Sequence, residues 1–121
     1  RSGRTVVIVS GDVHWGRISE CRLDNGTRLL EVVSSPLTLS DWGFSRAGCP
    51  WTPSPTPFEA AGLHGEVTTH RGPDGEPYRP AYDHFCTLEF SKDDAGVRMR
   101  VRHWRVDDAP PEGAVVFEAV L

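Results

Sequence analysis

Long hydrophobic runs are missing from this sequence. No uninterrupted apolar stretch exceeds four residues, as in Val6–Val9, whereas a membrane helix needs roughly 20 apolar residues. Positive charge is not in excess either, because the formal net charge is -4 with 25% charged residues, which is typical of a globular protein. These shortages argue against a membrane span and against a nucleic-acid partner.

Cysteine is also scarce, with three residues at positions 21, 49 and 86. An odd number cannot pair completely within the chain, and no Cys-x-x-Cys spacing indicates a metal site. Cys21 and Cys86 each fall on the apolar side of an alternating pattern, where a free thiol packs as a small hydrophobe. We expect both to be buried free thiols, with a disulfide or a ligand role as the alternative. The redox compartment stays open.

The length of 121 residues suits one domain with a single modest core. The chain begins at Arg1 without a methionine and enters an apolar strand within a few residues. We therefore expect it to have been cut from a longer protein. A fragment of this kind would not display a signal peptide, so localisation is not predicted.

The first 33 residues predict a strand, a loop and a β-hairpin. Arg4–Ser10 is β-branched and almost wholly apolar, which is typical of a central strand buried on both faces. Ile18–Leu23 and Thr27–Val33 are two further strand-like runs. They are joined by Asp24-Asn25-Gly26, and a short connection with Asn-Gly is a strong hairpin signal.

Residues 34–83 form a segment of different character, which holds eight of the ten prolines and several large aromatic side chains. We expect a long Pro-rich loop insertion with at most a helical turn at Phe58–Leu63. A loop of this length is either functional or disordered, and its aromatic content favours packing. His64 and His70 are interpreted as surface histidines, with a lid over a metal site as the alternative.

The remainder of the chain predicts three strands: His84–Phe90, Val97–Val106 and Ala114–Leu121. In the second strand, arginines at positions 98, 100 and 102 alternate with apolar residues, which predicts one buried face and one solvent-exposed face. We expect this stripe, which Arg105 extends, to lie opposite carboxylates such as Glu89 or Glu118. Binding to the phosphates of a nucleic acid is the less favoured alternative.

One short element carries candidate chemistry, the loop Gly11-Asp12-Val13-His14 at the end of the first strand. Asp12 and His14 are two positions apart, so in an extended chain both side chains leave the same side. A carboxylate and an imidazole are plausible ligands for zinc, manganese or iron. From the residues alone, a turn-forming Asp beside a surface His is the more common arrangement.

This pattern resembles the C-terminal region of PhoD-like alkaline phosphatases, members of the calcineurin-like metallophosphoesterase superfamily. The resemblance covers residues 4–37, from the apolar strand through Ser10-Gly11-Asp12-Val13-His14 and the hairpin to Leu30–Leu37. Residues 84–106 are similar to the family's final sheet strands, without a sharp motif. The resemblance implies that residues 1–121 are the C-terminal part of a metallophosphoesterase domain: a mainly β fragment of an α/β four-layer sandwich, with 34–83 as an insertion.

The resemblance also implies the roles of individual residues. The superfamily's last metal motif is Gly-His-x-His, and the PhoD-like branch has Gly-Asp-x-His there. His14 would then bind one metal ion of a pair. Asp12 would occupy the position of the preceding ligand, either coordinating directly or orienting a neighbour. The ions would be two of Fe, Zn, Mn or Ca. Trp15 is a candidate substrate contact, with a packing role as the alternative.

The implied activity is hydrolysis of a phosphate ester, with the other ligands supplied by the N-terminal remainder of the same chain. Asp12-Val13-His14 also fits the superfamily's opening Asp-x-His motif, but the Gly-Asp-x-x-Asp and Gly-Asn-His motifs that should follow are absent downstream. With only one loop of the site, and no residue assigned to catalysis itself, the 121 residues are expected to be inactive alone. The alternative function is a non-catalytic β-sandwich binding module in which Gly11–Gly16 is only a turn.

Overall fold

The chain folds into β-strands arranged in two sheets. The computed structural model describes residues 3–11, 15–34, 55–80, 83–106 and 113–121. The strands within these ranges are β1 Thr5–Ser10, β2 Arg17–Leu23, β3 Arg28–Val33, β4 Thr56–Ala60, β5 Leu63–Thr69, β6 His84–Asp93, β7 Gly96–Arg105 and β8 Ala114–Val120. The prediction of a mainly β chain is confirmed. The same ranges contain no helix, and hence none that is long and apolar enough to cross a membrane.

The five-stranded sheet has the order β1-β3-β2-β5-β4. The pair β1 and β3 is parallel and the other pairs are antiparallel. The hairpin between β2 and β3 forms at Asp24-Asn25-Gly26 as predicted. Gly26 adopts φ 84°, a left-handed conformation that glycine reaches without steric cost.

The position of β1 differs from the prediction. It is an edge strand of the described sheet, and the exposed fractions of Val6, Ile8 and Val9 are 45%, 42% and 61%. Only Val7 packs against the core. The prediction of a central strand buried on both faces was therefore wrong for this chain, because no described strand pairs with its outer edge.

The Pro-rich segment also differs from the prediction, because residues 56–69 form the hairpin of β4 and β5. Its turn, Ala61-Gly62, has positive φ at both residues, 53° and 74°, as a tight two-residue hairpin requires. The helical turn expected at Phe58–Leu63 is thus wrong, and 34–83 is not one continuous loop. Pro57 is tolerated because β4 is the other edge of the sheet.

The three-stranded sheet is the antiparallel meander β6-β7-β8. A tight turn at Asp94-Ala95 joins β6 to β7, so β6 extends beyond its predicted end. A register shift between Val101 and Arg102 alters the pairing with β8. As a result Val116 is buried and Val115 is exposed, whereas strict alternation along β8 would place Val115 on the same face as Phe117.

The hydrophobic core lies between the two sheets and holds the following buried side chains: Ile18, Leu30, Val32, Tyr78, Met99, Val101 and Val116. Each large apolar side chain removed from water contributes on the order of 1.5–3 kcal/mol to folding. Cys21 is a buried free thiol, as expected, and Cys86 is a half-buried free thiol against the core. Cys49 lies outside the described residues.

Candidate functional site

The predicted metal ligands, Asp12 and His14, lie outside the described residues. Both ends of their loop are described. Ser10 and Gly11 lead into it at the end of β1, and Trp15 and Gly16 lead out of it into β2. The described residues therefore give only the two ends of this loop.

The entry to the loop lies at the carboxyl end of a parallel strand pair. Ser10 of β1 pairs with Val33 of β3, and the amide of Ser34 donates a hydrogen bond of 3.0 Å to the carbonyl oxygen of Ser10. A Cβ atom at Gly11 would lie 3.0 Å from the carbonyl oxygen of Ser34. Gly11 and Ser34 therefore meet at the carboxyl end of this parallel pair.

The exit from the loop is fixed by packing. The amide of Gly16 donates a hydrogen bond of 2.8 Å to the carbonyl oxygen of Pro80. A Cβ atom at Gly16 would lie 2.8 Å from Cγ of Pro80 and 3.0 Å from Nε2 of His84. Glycine is needed here because of this close approach.

Trp15 is half-buried beside β2. The guanidinium carbon of Arg17 lies 5.2 Å from its ring centroid, within the range of a cation–π contact. Arg17 also forms a 2.8 Å ion pair with Glu31. These contacts support the packing alternative for Trp15. Its role in substrate binding stays a prediction.

A polar cluster lies in the core next to the exit of the loop, and sequence reasoning did not find it. His84 and His103 are 1% and 7% exposed and stack with ring centroids 4.9 Å apart. Nδ1 of His103 lies 2.7 Å from the hydroxyl of Tyr78, which in turn lies 3.5 Å from Sγ of Cys86. His103 therefore makes a structural hydrogen bond in the core. The cluster as a whole joins residues up to 25 positions apart, which no local pattern reveals.

His64 and His70 are not in a long loop, because His64 belongs to β5 and His70 follows it. His70 Nε2 lies 3.0 Å from the carbonyl oxygen of Val116, and its ring contacts Phe117 edge-on. Both histidines line a cavity of about 630 Å³ between β2, β5 and Phe117. The lid hypothesis required a flexible loop, so these positions in and beside a strand argue against it.

Another wall of this cavity is charged. Glu20 of β2 forms ion pairs of 2.8 Å with Arg28 and 2.9 Å with Arg22. Burial raises the pKa of Glu20, but the hydrogen bond from Arg28 and the charges of both arginines outweigh it and hold the pKa below its ordinary value. Arg28 also donates 2.8 Å to the carbonyl oxygen of Val120. Arg28 therefore links the two sheets.

The arginine stripe on β7 is neutralised by carboxylates, as predicted. Glu118 accepts hydrogen bonds from Arg100 and Arg98, and these hold its pKa below the ordinary value. Arg102 bonds Glu89 at 3.0 Å. Asp93 accepts from Arg98, which lowers the pKa of Asp93 in the same way. Because Arg98, Arg100 and Arg102 are all paired with carboxylates, these three residues do not present a free row of positive charge.

An aromatic pair extends this stripe and was missed. Trp104 follows two positions after Arg102 and stacks on Phe85, with centroids 5.9 Å apart and planes 7° apart. Its indole Nε1 donates to the hydroxyl of Thr87 at 3.0 Å. The two-residue period from Arg102 to Trp104 could have revealed this, since residues i and i+2 share a face.

Comparison with known proteins gives no match: no family model, curated protein or solved structure matches this chain. Within the described ranges, no three His, Cys, Asp or Glu side chains are grouped so as to hold a metal ion. The candidate site therefore depends on the resemblance over residues 4–37 and on the strand-end geometry at Gly11 and Ser34.

Proposed function

We propose that this chain is the C-terminal part of a PhoD-like metallophosphoesterase domain that hydrolyses a phosphate ester. In this proposal residues 1–121 supply the last metal-binding loop, Gly11-Asp12-Val13-His14. The observation that carries the proposal is the parallel pairing of β1 with β3, which brings Gly11 and Ser34 together at the carboxyl ends of both strands. Open α/β sheets bind their ligands at this place.

The exposed faces of β1 support the proposal independently. A strand with apolar side chains on both faces is typical of a parallel sheet covered by other layers. Val6, Ile8 and Val9 are 42–61% exposed in this chain. In the α/β four-layer sandwich that we propose, the N-terminal remainder of the same polypeptide covers these side chains and pairs with the free edge. The segment 34–83 is then an insertion that contributes β4 and β5.

The chemistry of the two candidate ligands fits divalent or trivalent metals. A carboxylate and an imidazole are ligands that Zn, Mn and Fe accept, and Ca accepts the carboxylate. His14 would hold one ion, and Asp12 would coordinate it or orient another ligand. A bound metal pair would polarise the phosphoryl oxygens and lower the pKa of a bridging water.

The described residues have the supporting task of holding this loop in place. The hydrogen bond from Gly16 to Pro80 and the close packing of Gly16 fix its exit. The contact between Trp15 and Arg17 orients the indole at the mouth of the loop. In this proposal, a rigid support helps to hold His14 and Asp12 in the geometry needed to coordinate metal ions that are bound mainly by other parts of the protein.

The test compares His14→Ala and Asp12→Ala with His64→Ala in the full-length polypeptide that carries these residues. His64 lies on β5 and its side chain is 60% exposed, so His64→Ala controls for the loss of an imidazole. We expect His14→Ala to lose metal, measured by elemental analysis, and to lose hydrolysis of p-nitrophenyl phosphate and bis-p-nitrophenyl phosphate. We also expect Asp12→Ala to have a lower metal content and a lower rate of hydrolysis than the parent. His64→Ala should match the parent in both quantities. Equal metal content in His14→Ala and the parent would remove His14 from the site.

A second candidate function is a non-catalytic binding module. The observation that favours it is the core shared by both sheets, since a two-layer β arrangement of this kind needs no metal to fold. It predicts that metal content and hydrolysis are absent from the full-length polypeptide as well as from the 121 residues. Chelator-sensitive hydrolysis by the full-length polypeptide alone would favour the enzyme.

A further inference from the structure

The turn between β2 and β3 holds an asparagine directly before a glycine. Asn25 and Gly26 are both exposed, and Gly26 has φ 84°. The amide of Gly26 donates a hydrogen bond of 2.9 Å to the carbonyl oxygen of Leu23. The amide of Thr27 donates one of 2.9 Å to the side-chain oxygen of Asn25. The side-chain amide and the main-chain nitrogen that follows it are therefore held together in one tight turn.

A second turn repeats this arrangement with aspartate in place of asparagine. Asp74 and Gly75 are exposed, and Gly75 has φ 81°. The amide of Gly75 donates 2.9 Å to the carbonyl oxygen of Gly72, and the amide of Glu76 donates 3.1 Å to Oδ1 of Asp74. The same backbone geometry thus presents a side-chain amide in one turn and a carboxyl group in the other.

An asparagine followed by glycine can react with its own backbone, which is one reason why asparagine is thermolabile. Gly26 has no Cβ, so its nitrogen is open to Cγ of Asn25. This nitrogen forms a bond to Cγ, the bond from Cγ to Nδ2 breaks, and Nδ2 leaves as ammonia with the proton of the attacking amide. Water then opens the five-membered imide ring. Opening at Cγ gives aspartate, and opening at the main-chain carbonyl carbon gives isoaspartate, whose backbone runs through Cβ and Cγ.

The folded turn opposes this reaction. The attacking nitrogen must give up its hydrogen, and in the turn that hydrogen is bound to the carbonyl oxygen of Leu23. The hydrogen bond from Thr27 restricts the rotation of the Asn25 side chain as well. Exposed hydrogen bonds at the tip of a loop open more readily than those of the core. The reaction is therefore slowed in the folded chain and proceeds when the turn opens.

We propose that Asn25 is a spontaneous deamidation site that the folded turn holds in check, and that Asp74 undergoes the matching isomerisation. At Asp74 the carboxyl group loses water when the ring closes and regains it when the ring opens, so isoaspartate forms without a net change in mass. This proposal concerns the described residues alone. It depends neither on a metal nor on the hydrolysis of a phosphate ester.

Isoaspartate at position 25 alters the hairpin. It lengthens the main chain by one carbon atom within a tight loop, and Arg22 pairs with Arg28 directly beside that loop. Gly26 also packs so closely against Gly3 that a Cβ atom at Gly3 would overlap the carbonyl oxygen of Gly26. The longer turn therefore has to displace either the strand register or the chain that leads into β1. We expect the isoaspartate form to unfold at a lower urea concentration than the unmodified chain.

The test incubates the 121-residue chain at mildly alkaline pH, folded and in concentrated urea, and follows its mass. Asn25 is the only asparagine and the sequence has no glutamine, so any side-chain ammonia that is lost comes from this residue. We expect the mass change of an amide that becomes a carboxylic acid, at least about tenfold faster in urea because the hydrogen bonds of the turn are then absent. The control is Gly26→Ala in urea, whose Cβ crowds the attacking nitrogen and should slow the reaction.

Isoaspartate at positions 25 and 74 is measured in the same samples by enzymatic methylation specific for isoaspartate, followed by peptide mapping. No mass change in urea would overturn the assignment of Asn25, and equal rates in the folded and unfolded chain would overturn the protective role of the turn. Absence of isoaspartate at Asp74 in the unfolded chain would overturn the assignment there. Anion exchange separates the products of Asn25 by their added negative charge, and an unchanged urea midpoint of the isoaspartate form would contradict the expected change in the hairpin.

Discussion

The close packing at Gly16 makes a specific prediction about stability. In Gly16→Ala the new methyl group would meet Cγ of Pro80 at 2.8 Å and Nε2 of His84 at 3.0 Å. The optimal separation of non-bonded carbon atoms is about 3.5–4.0 Å. The loop exit or Pro80 therefore has to move by several tenths of an ångström. Inserting a methyl group into a packed site of this kind costs about 1–3 kcal/mol. The 2.8 Å hydrogen bond from Gly16 to Pro80 is strained by the same movement.

The source of this cost can be tested by a double-mutant cycle in the 121-residue chain. Pro80→Ala removes the Cγ and Cδ atoms that the methyl group would meet. We expect the cost of Gly16→Ala to be smaller by about 1 kcal/mol in the Pro80→Ala background, because residues in contact are not additive. The measurement is the urea concentration at the midpoint of unfolding, compared between variants whose unfolding free energy has the same slope against urea concentration. Strictly additive effects, or an unchanged midpoint in Gly16→Ala, would refute the packing explanation.

Two further predictions concern the core and its charged border. Ile18→Ala should lower the free energy of unfolding by about 2–5 kcal/mol, because Ile18 is fully buried. The matched variant Ile8→Ala should lower it by less than about 1 kcal/mol, because Ile8 is 42% exposed. Urea unfolding of both variants compares the two losses, and equal losses would contradict the assigned burial. Arg28 and Arg22 hold the folded-state pKa of Glu20 below its ordinary value of 4.5. Glu20 therefore contributes to stability above its ordinary pKa, and this contribution is lost as the pH falls through its folded-state pKa. Glu20→Gln should therefore reduce the loss of stability between pH 6 and 3 in circular-dichroism melts, and the same acid sensitivity in Glu20→Gln and the parent would contradict this linkage.

Local signals in the sequence predicted most strands but not all. The hairpin at Asp24-Asn25-Gly26 was predictable because Asn-Gly suits a tight turn. The hairpin at Ala61-Gly62 was not, because alanine rarely adopts positive φ and the surrounding prolines favour loops. The exposed Val115 shows a third limit, since the register shift beside Val101 depends on the partner strand and not on the alternation within β8.

The candidate site was predictable only in part, for a related reason. Asp12 and His14 stay a prediction from a short motif that follows an apolar strand, because both lie outside the described residues. The cluster of Tyr78, His84 and His103 could not, because its members come from three separate elements and meet only after the sheets pack. Burial of a polar side chain is a property of the assembled core, and it leaves no local pattern in the sequence.

The disagreement over β1 is itself informative about what this chain belongs to. The sequence Thr5–Ser10 has the composition of a strand covered on both faces, and the hydrophobic effect favours that composition only where the side chains are removed from water. In this chain Val9 is 61% exposed, and the strand has no described partner on its outer edge. An edge strand with no charge, proline or bulge readily pairs with further β structure. In the metallophosphoesterase domain that we propose, upstream layers would cover β1 and remove this cost, and the same layers would supply the other proposed metal ligands at the end of the strand.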